Sequence, residues 1–239
     1  MKIKLPASKL EVDMVPKIKI CGLTDSSEVS YLADSVDYAG IVMFFEKSKR
    51  NNTPETAVPV LAAIKELAKD GIHIKTVAVV VSPDVEQVKL IEALGFDIIQ
   101  IHGELKPEVL ENIKIPIFRA YNLESESDIE ELANEPKIYG ILFDGKVPGS
   151  GNTFDWSMLK AFDRKDKLLI LAGGLDETNI ADAIREVSPD IVDVSSGVEY
   201  KDAKTTGQKG KDPERIKAFI AAVKHADQQN KNEQKEEKI

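Results

Sequence analysis

The chain is expected to fold as a single (β/α)8 barrel, and three observations predict it. Short apolar runs with strand composition alternate with segments of helical periodicity, a grammar that implies parallel pairing through right-handed crossovers. Eight such runs occur. They occupy about 200 residues, the size of such a barrel, and no obvious second domain accompanies them, which favours closure over an open doubly wound sheet.

The strands are expected at residues 17–21, 38–44, 75–81, 97–101, 115–120, 138–144, 167–171 and 191–195. After the first, Asp25 and Glu28 stand three apart like a reciprocal helix cap. After the second, residues 54–70 place Ala57, Val60, Leu61, Ile64 and Leu67 near one helix face. After the third, "SPDVEQV" opens a helix over 83–94, with Ser82 as the expected cap and Pro83 in the first turn. Helical periodicity returns at 177–187 and 212–224, whereas only "DWSMLKAF" is available after the sixth strand. Residues 1–15 are expected to form a short arm, 16–224 the barrel, and 225–239 a charged, disordered tail.

Composition narrows the function classes. There are 41 acidic against 32 basic side chains, a net charge of −9. Neither nucleic acid nor an anionic membrane is an expected partner for such a surface. One cysteine excludes an internal disulfide and a cysteine-built zinc site. No segment reads as a signal peptide or membrane span, so a reducing, cytoplasmic setting is expected.

In this fold the chemistry gathers at the C-terminal ends of the strands. The first strand ends at Cys21–Gly22. A thiol there is either a small core residue or a nucleophile beside a helix N-terminus, which would favour thiolate. The second ends near "EKSKR", where the planar fork of Arg50 suits a carboxylate. The fourth ends at "IQIHGE", with Gln100 and His102 on one face. The sixth ends at Asp144 behind an apolar run, where desolvation would raise its pKa toward general-acid use. Gly173 and Gly174 follow the seventh strand; Ser195, Ser196 and Gly197 follow the eighth. Paired glycine-bearing loops at these two ends suit phosphate. Neither a metal-ligand spacing nor a dinucleotide fingerprint is present, so no metal and no cofactor are expected.

Together, "KICGLT", "KSKR", "IQIHGE", "GSGNTFDW", "LAGGLDETN" and "DVSSGVE" resemble, in order, the phosphoribosylanthranilate isomerase family of tryptophan biosynthesis. The resemblance covers roughly residues 17–222. It implies an Amadori rearrangement of N-(5-phosphoribosyl)anthranilate, a small phosphosugar substrate, by a monomer or homodimer. It implies Cys21 as general base, Asp144 as general acid, and Arg50, His102 and Asp193 as substrate-binding residues. Gly173, Gly174, Ser195, Ser196 and Gly197 would bind the phosphate. The sequence departs from the family pattern at Glu46, where proline is frequent, at Pro148, where glycine is, and at Asn152, where lysine is. Three other readings are a lyase or aldolase using Lys146 as a Schiff-base amine, a phosphate-ligand-binding barrel without turnover, and an isomerase that also accepts a larger, doubly phosphorylated aminoaldose. The last requires a second anion site that the sequence does not offer.

Overall fold

The structure is a computed structural model that describes residues 15–32, 35–122, 134–144, 159, 164–201 and 207–236. Eight parallel strands form a closed barrel: β1 Lys17–Cys21, β2 Tyr38–Met43, β3 Lys75–Val81, β4 Ile98–His102, β5 Ile117–Asn122, β6 Ile138–Asp144, β7 Leu168–Leu171 and β8 Ile191–Val194. Closure is made by β1, which pairs with β2 in the register Lys19↔Tyr38 and with β8 in the register Lys19↔Asp193. A two-residue strand, Asn51–Asn52, adds to the end of β2 and fixes the loop before it at the barrel mouth.

The near-continuous apolar runs are explained by burial on both faces of the sheet. Alternate residues fill the lumen, among them Tyr38, Val79, Ile98, Phe118, Leu142 and Ile170. Their neighbours in sequence, such as Ile41, Val80, Ile99, Ile141 and Leu171, pack outward under the helices. At the barrel base, aspartates just before three strands stitch neighbouring strands together. Asp37 accepts from the Ile18 N–H, Asp97 from the Thr76 N–H and hydroxyl, and Asp190 from the Leu169 N–H.

All eight expected strands are present, with ends moved by identifiable causes. β2 stops at Met43 because Phe44 takes a left-handed φ of 57°. β4 begins one residue late, since Asp97 is engaged by Thr76 rather than by the ladder. β5 begins at Ile117, after Pro116, which has no N–H to donate.

The outer layer contains α1 Pro54–Leu67, α2 Val85–Leu94, α3 Pro107–Asn112, α4 Ile180–Val187 and α5 Pro213–Glu236. Ala57, Val60, Leu61 and Ile64 are the buried face of α1, as its periodicity predicts. The short α3 had no clear signal in the sequence. Asp84, not Ser82, caps α2: its carboxylate accepts from the Gln87 N–H at 2.8 Å and the Gln87 side chain accepts in return. Ser82 is instead left-handed, and its hydroxyl accepts from the Glu104 N–H. The segment after β1 is a 3-10 helix, Ser26–Leu32, and only half of the expected reciprocal cap forms there: Glu28 Oε2 accepts from the Asp25 N–H, but Asp25 Oδ1 accepts from the Ser27 N–H instead of that of Glu28. α5 continues to Glu236, through most of the segment expected as a disordered tail. The arm up to residue 14, and the "DWSMLKAF" helix apart from Leu159, lie outside the described residues. Among the described residues no helix is long and apolar enough to cross a membrane.

Candidate active site

A cavity of about 640 Å³ opens at the C-terminal ends of the strands. Nine of the ten expected site residues line it: Cys21, Arg50, His102, Asp144, Gly173, Gly174, Asp193, Ser195 and Ser196. The tenth, Gly197, packs instead against the Leu175 carbonyl, so closely that a Cβ would overlap it. Gly197 thereby joins the loops after β7 and β8 behind the cavity wall.

Cys21 is buried at the end of β1. Room for its sulfur comes from Gly40 on β2, where a Cβ would stand 2.8 Å from Sγ. Its carbonyl accepts from the Ser195 hydroxyl at 2.9 Å, which ties the end of β1 to the loop after β8. A helix N-terminus beside the thiol would favour thiolate. Burial dominates instead and pushes it up; Lys19 pulls it down, Asp193 raises it, and Lys211 lowers it, with a net upward result.

Beneath the thiol lies a charge pair inside the lumen. Lys19, fully buried, donates through Nζ to Asp193 Oδ2 at 2.7 Å. Asp193 Oδ1 is buried without a hydrogen-bond partner among the described residues. Across the cavity, Asp144 ends β6, half-buried behind the core residues Leu142 and Phe143. The loop beyond it, with Lys146, Pro148 and Asn152, lies outside the described residues.

Arg50 is not an isolated cation. Its Nε donates to Glu199 Oε1 at 2.5 Å, and Lys49 Nζ donates to Glu199 Oε2 at 2.7 Å. Lys211, a fully buried ammonium, reaches the same carboxylate at 3.3 Å and the Ser195 carbonyl at 3.1 Å. Burial alone would raise the Glu199 carboxyl, but the hydrogen bond from Arg50, the Lys211 charge and the hydrogen bond from Lys49 hold it down at about 2. Glu199 thus braces the basic loop after β2 against the loop after β8. Glu46, the unfamiliar acid in that basic loop, is exposed and outside the cavity wall.

His102 Nε2 stands 2.8 Å from Gln100 Nε2. Burial first, then the positive charges of Lys19 and Arg119, lower the imidazole to about 4. It is therefore a neutral ring at physiological pH, suited to hydrogen bonding rather than to carrying charge. On the opposite rim, β7 and β8 are neighbours in the register Leu171↔Val192. Gly173 and Gly174 both have positive φ, and Asn179 donates to the Gly174 carbonyl at 2.9 Å, fixing the turn. The cavity consequently has a basic side at Arg50, a small-residue backbone rim at Gly173–Gly174 and Ser195–Ser196, and two groups capable of proton transfer.

Sequence reasoning missed three charged residues. Lys19 had a usable signal, because period-two alternation puts it on the face of Cys21. Glu199 stood in a quoted motif but was assigned no contact. Lys211 had none, since only the tertiary fold brings it beneath Ser195.

A family model described as N-(5'phosphoribosyl)anthranilate (PRA) isomerase matches residues 18–222. The N-(5'-phosphoribosyl)anthranilate isomerase of Thermoanaerobacter sp. (strain X514) is 36% identical over 218 residues, covering 87% of this chain and 98% of that protein. The solved phosphoribosyl anthranilate isomerase of Thermotoga maritima superposes with a TM-score of 0.72 at 33% identity, covering 88% of this chain and 99% of the other. A further solved isomerase, in complex with reduced 1-(o-carboxyphenylamino)-1-deoxyribulose 5-phosphate, superposes at 0.70 with 29% identity, over 88% of this chain and 99% of the other.

Proposed function

The chain belongs to the N-(5'-phosphoribosyl)anthranilate isomerase family, and on that premise we propose that it converts N-(5-phosphoribosyl)anthranilate into 1-(2-carboxyphenylamino)-1-deoxyribulose 5-phosphate by an Amadori rearrangement, in tryptophan biosynthesis. The observation that carries the reading is the meeting of Cys21 and Asp144, from well-separated strands, at one cavity.

The residues divide the work as follows. Asp144, protonated, gives its proton to the furanose ring oxygen. The C1′–O bond breaks as the anilino nitrogen's lone pair forms the C1′=N bond. Cys21, as thiolate, takes the proton from C2′, and that electron pair forms C1′=C2′ while neutralising the iminium. The enolamine then loses its hydroxyl proton and gains one at C1′, giving the ketone. One proton has left Asp144 and one has reached Cys21, so solvent exchange restores both. The change is an internal oxidoreduction: C2′ rises from alcohol to ketone as C1′ falls to CH2–N.

Binding follows the same wall. Arg50 pairs with the anthranilate carboxylate by a planar fork. Asp193, whose Oδ1 is unpartnered, accepts from the substrate's anilino N–H, and the neutral His102 contributes a hydrogen bond beside it. Gly173, Gly174, Ser195 and Ser196 receive the phosphate, while Gly197 supports that rim from behind.

The test is a turnover assay on purified protein, following loss of anthranilate-type fluorescence with phosphoribosylanthranilate as substrate. Turnover without added metal or nucleotide is the expected result. Well-folded protein that binds the substrate and leaves it unchanged would overturn the reading.

A further inference from the structure

We propose that Lys19 is a positioning residue of this site: its ammonium, buried in the lumen, is the counter-charge to the Cys21 thiolate and holds Asp193 by one oxygen while the other is left unpartnered. The proposal rests on the function above only in taking the thiolate as the working base.

The placement carries the inference. A fully buried lysine is rare unless paired, because an unpaired ammonium in a low-dielectric interior is costly. Lys19 stands in a lumen otherwise filled by such residues as Tyr38, Val79 and Phe118. It meets one oxygen of Asp193 at 2.7 Å and, being two residues before Cys21 on the same strand face, also acts on that thiol by its charge. The other oxygen of Asp193 has no partner among the described residues, although the residue lines the cavity.

Other charged groups face Cys21 from each packed element, and they are already engaged or remote. Asp193 on β8 shares Lys19. Lys211 is held by Glu199 and the Ser195 carbonyl. Arg50 at the rim is bonded to Glu199. Asp144 is across the cavity, and His102 on β4 is a neutral ring. Of the cations that oppose burial at the sulfur, Lys19 thus acts most strongly.

The single cysteine makes the test direct. Thiolate absorbance near ~240 nm is titrated in wild type and in Lys19→Met, with Cys21→Ser as the blank. The pH dependence of kcat is measured beside it. In Lys19→Met the titration midpoint rises by about one pH unit or more, and the thiolate fraction and kcat at neutral pH fall about tenfold. Lys19→Arg stays near the wild-type midpoint. An unmoved midpoint in natively folded Lys19→Met overturns the proposal, even if kcat falls, since that would be a structural effect. If Lys19→Met does not fold, the double variant Lys19→Met/Asp193→Asn removes both buried charges. A midpoint at or below wild type in that variant overturns the proposal, and a raised one supports it. The titration needs no substrate, so it stands apart from whether the protein turns over phosphoribosylanthranilate.

Discussion

Replacing Glu199 with glutamine removes the brace of the basic loop while leaving its shape nearly unchanged. The carboxylate is only 11% exposed and contacts Arg50, Lys49 and Lys211 together. Its carboxyl is held at about 2 against an ordinary value of 4.5. At about 1.36 kcal/mol for each tenfold change in the proton equilibrium, that gap corresponds to about 3 kcal/mol of native-state stability at pH 7. Burial pulls Lys211 down despite this partner, so part of the gain only offsets the cost of a buried ammonium. The expected loss in Glu199→Gln is therefore about 2–3 kcal/mol, at or below the roughly 3–5 kcal/mol for removing one partner of a fully buried pair, as suits a cluster whose Lys49 is exposed. Because the folded value is depressed, this stability is fully present above about pH 4.5 and is lost as pH falls toward 2. Urea denaturation of both proteins between pH 7 and pH 3 reads it. The gap should be constant from pH 7 to 5 and shrink by pH 3, while KM for phosphoribosylanthranilate rises more than kcat falls, since Arg50 loses its orientation. A loss below about 0.5 kcal/mol at pH 7, or one that does not shrink with acid, refutes the reasoning.

Three other outcomes follow from the same structure. The chain has three histidines, so NMR can follow each imidazole; His102 should titrate near 4, and a midpoint above 6 contradicts its burial beside Lys19 and Arg119. Phe118→Ala empties the centre of the lumen, where the ring stands 5.7 Å from that of Tyr38, and should cost about 3–5 kcal/mol by urea denaturation, with a loss under about 1 kcal/mol counting against a packed lumen. Asp97→Ala cuts two bonds to Thr76 at the barrel base and should cost about 1–2 kcal/mol while leaving kcat unchanged; a fall in kcat with no loss of stability contradicts a purely structural role.

Most of the fold was legible because parallel strands buried on both faces write themselves as apolar runs, and the intervening helices carry a period that strands do not. The α1 face from Ala57 to Ile64 needed nothing more than spacing. Strand ends were less legible, since they depend on one residue's backbone, as at Phe44, or on a side-chain bond from elsewhere, as at Asp97. The Ser82 expectation failed for the same reason: the Glu104 N–H takes its hydroxyl, and Asp84, two residues on, caps the helix instead. In the site, eight of the nine expected residues that line the cavity could be found at strand ends by the barrel rule, and Asp193 came from the family resemblance alone. Their electrostatic surroundings could not. The upward push on Cys21 comes from burial, and the pairing of Arg50 with Glu199 spans 149 positions in sequence. Local pattern carries no information about either.

The central claim is that Cys21 and Asp144 act as base and acid on one substrate in this cavity. Steady-state turnover of phosphoribosylanthranilate by wild type, Cys21→Ser and Asp144→Asn tests it most directly, with folding checked by circular dichroism. The account predicts that each substitution lowers kcat by about 10²-fold or more, with KM changing far less. Two natively folded variants with kcat near wild type would contradict it.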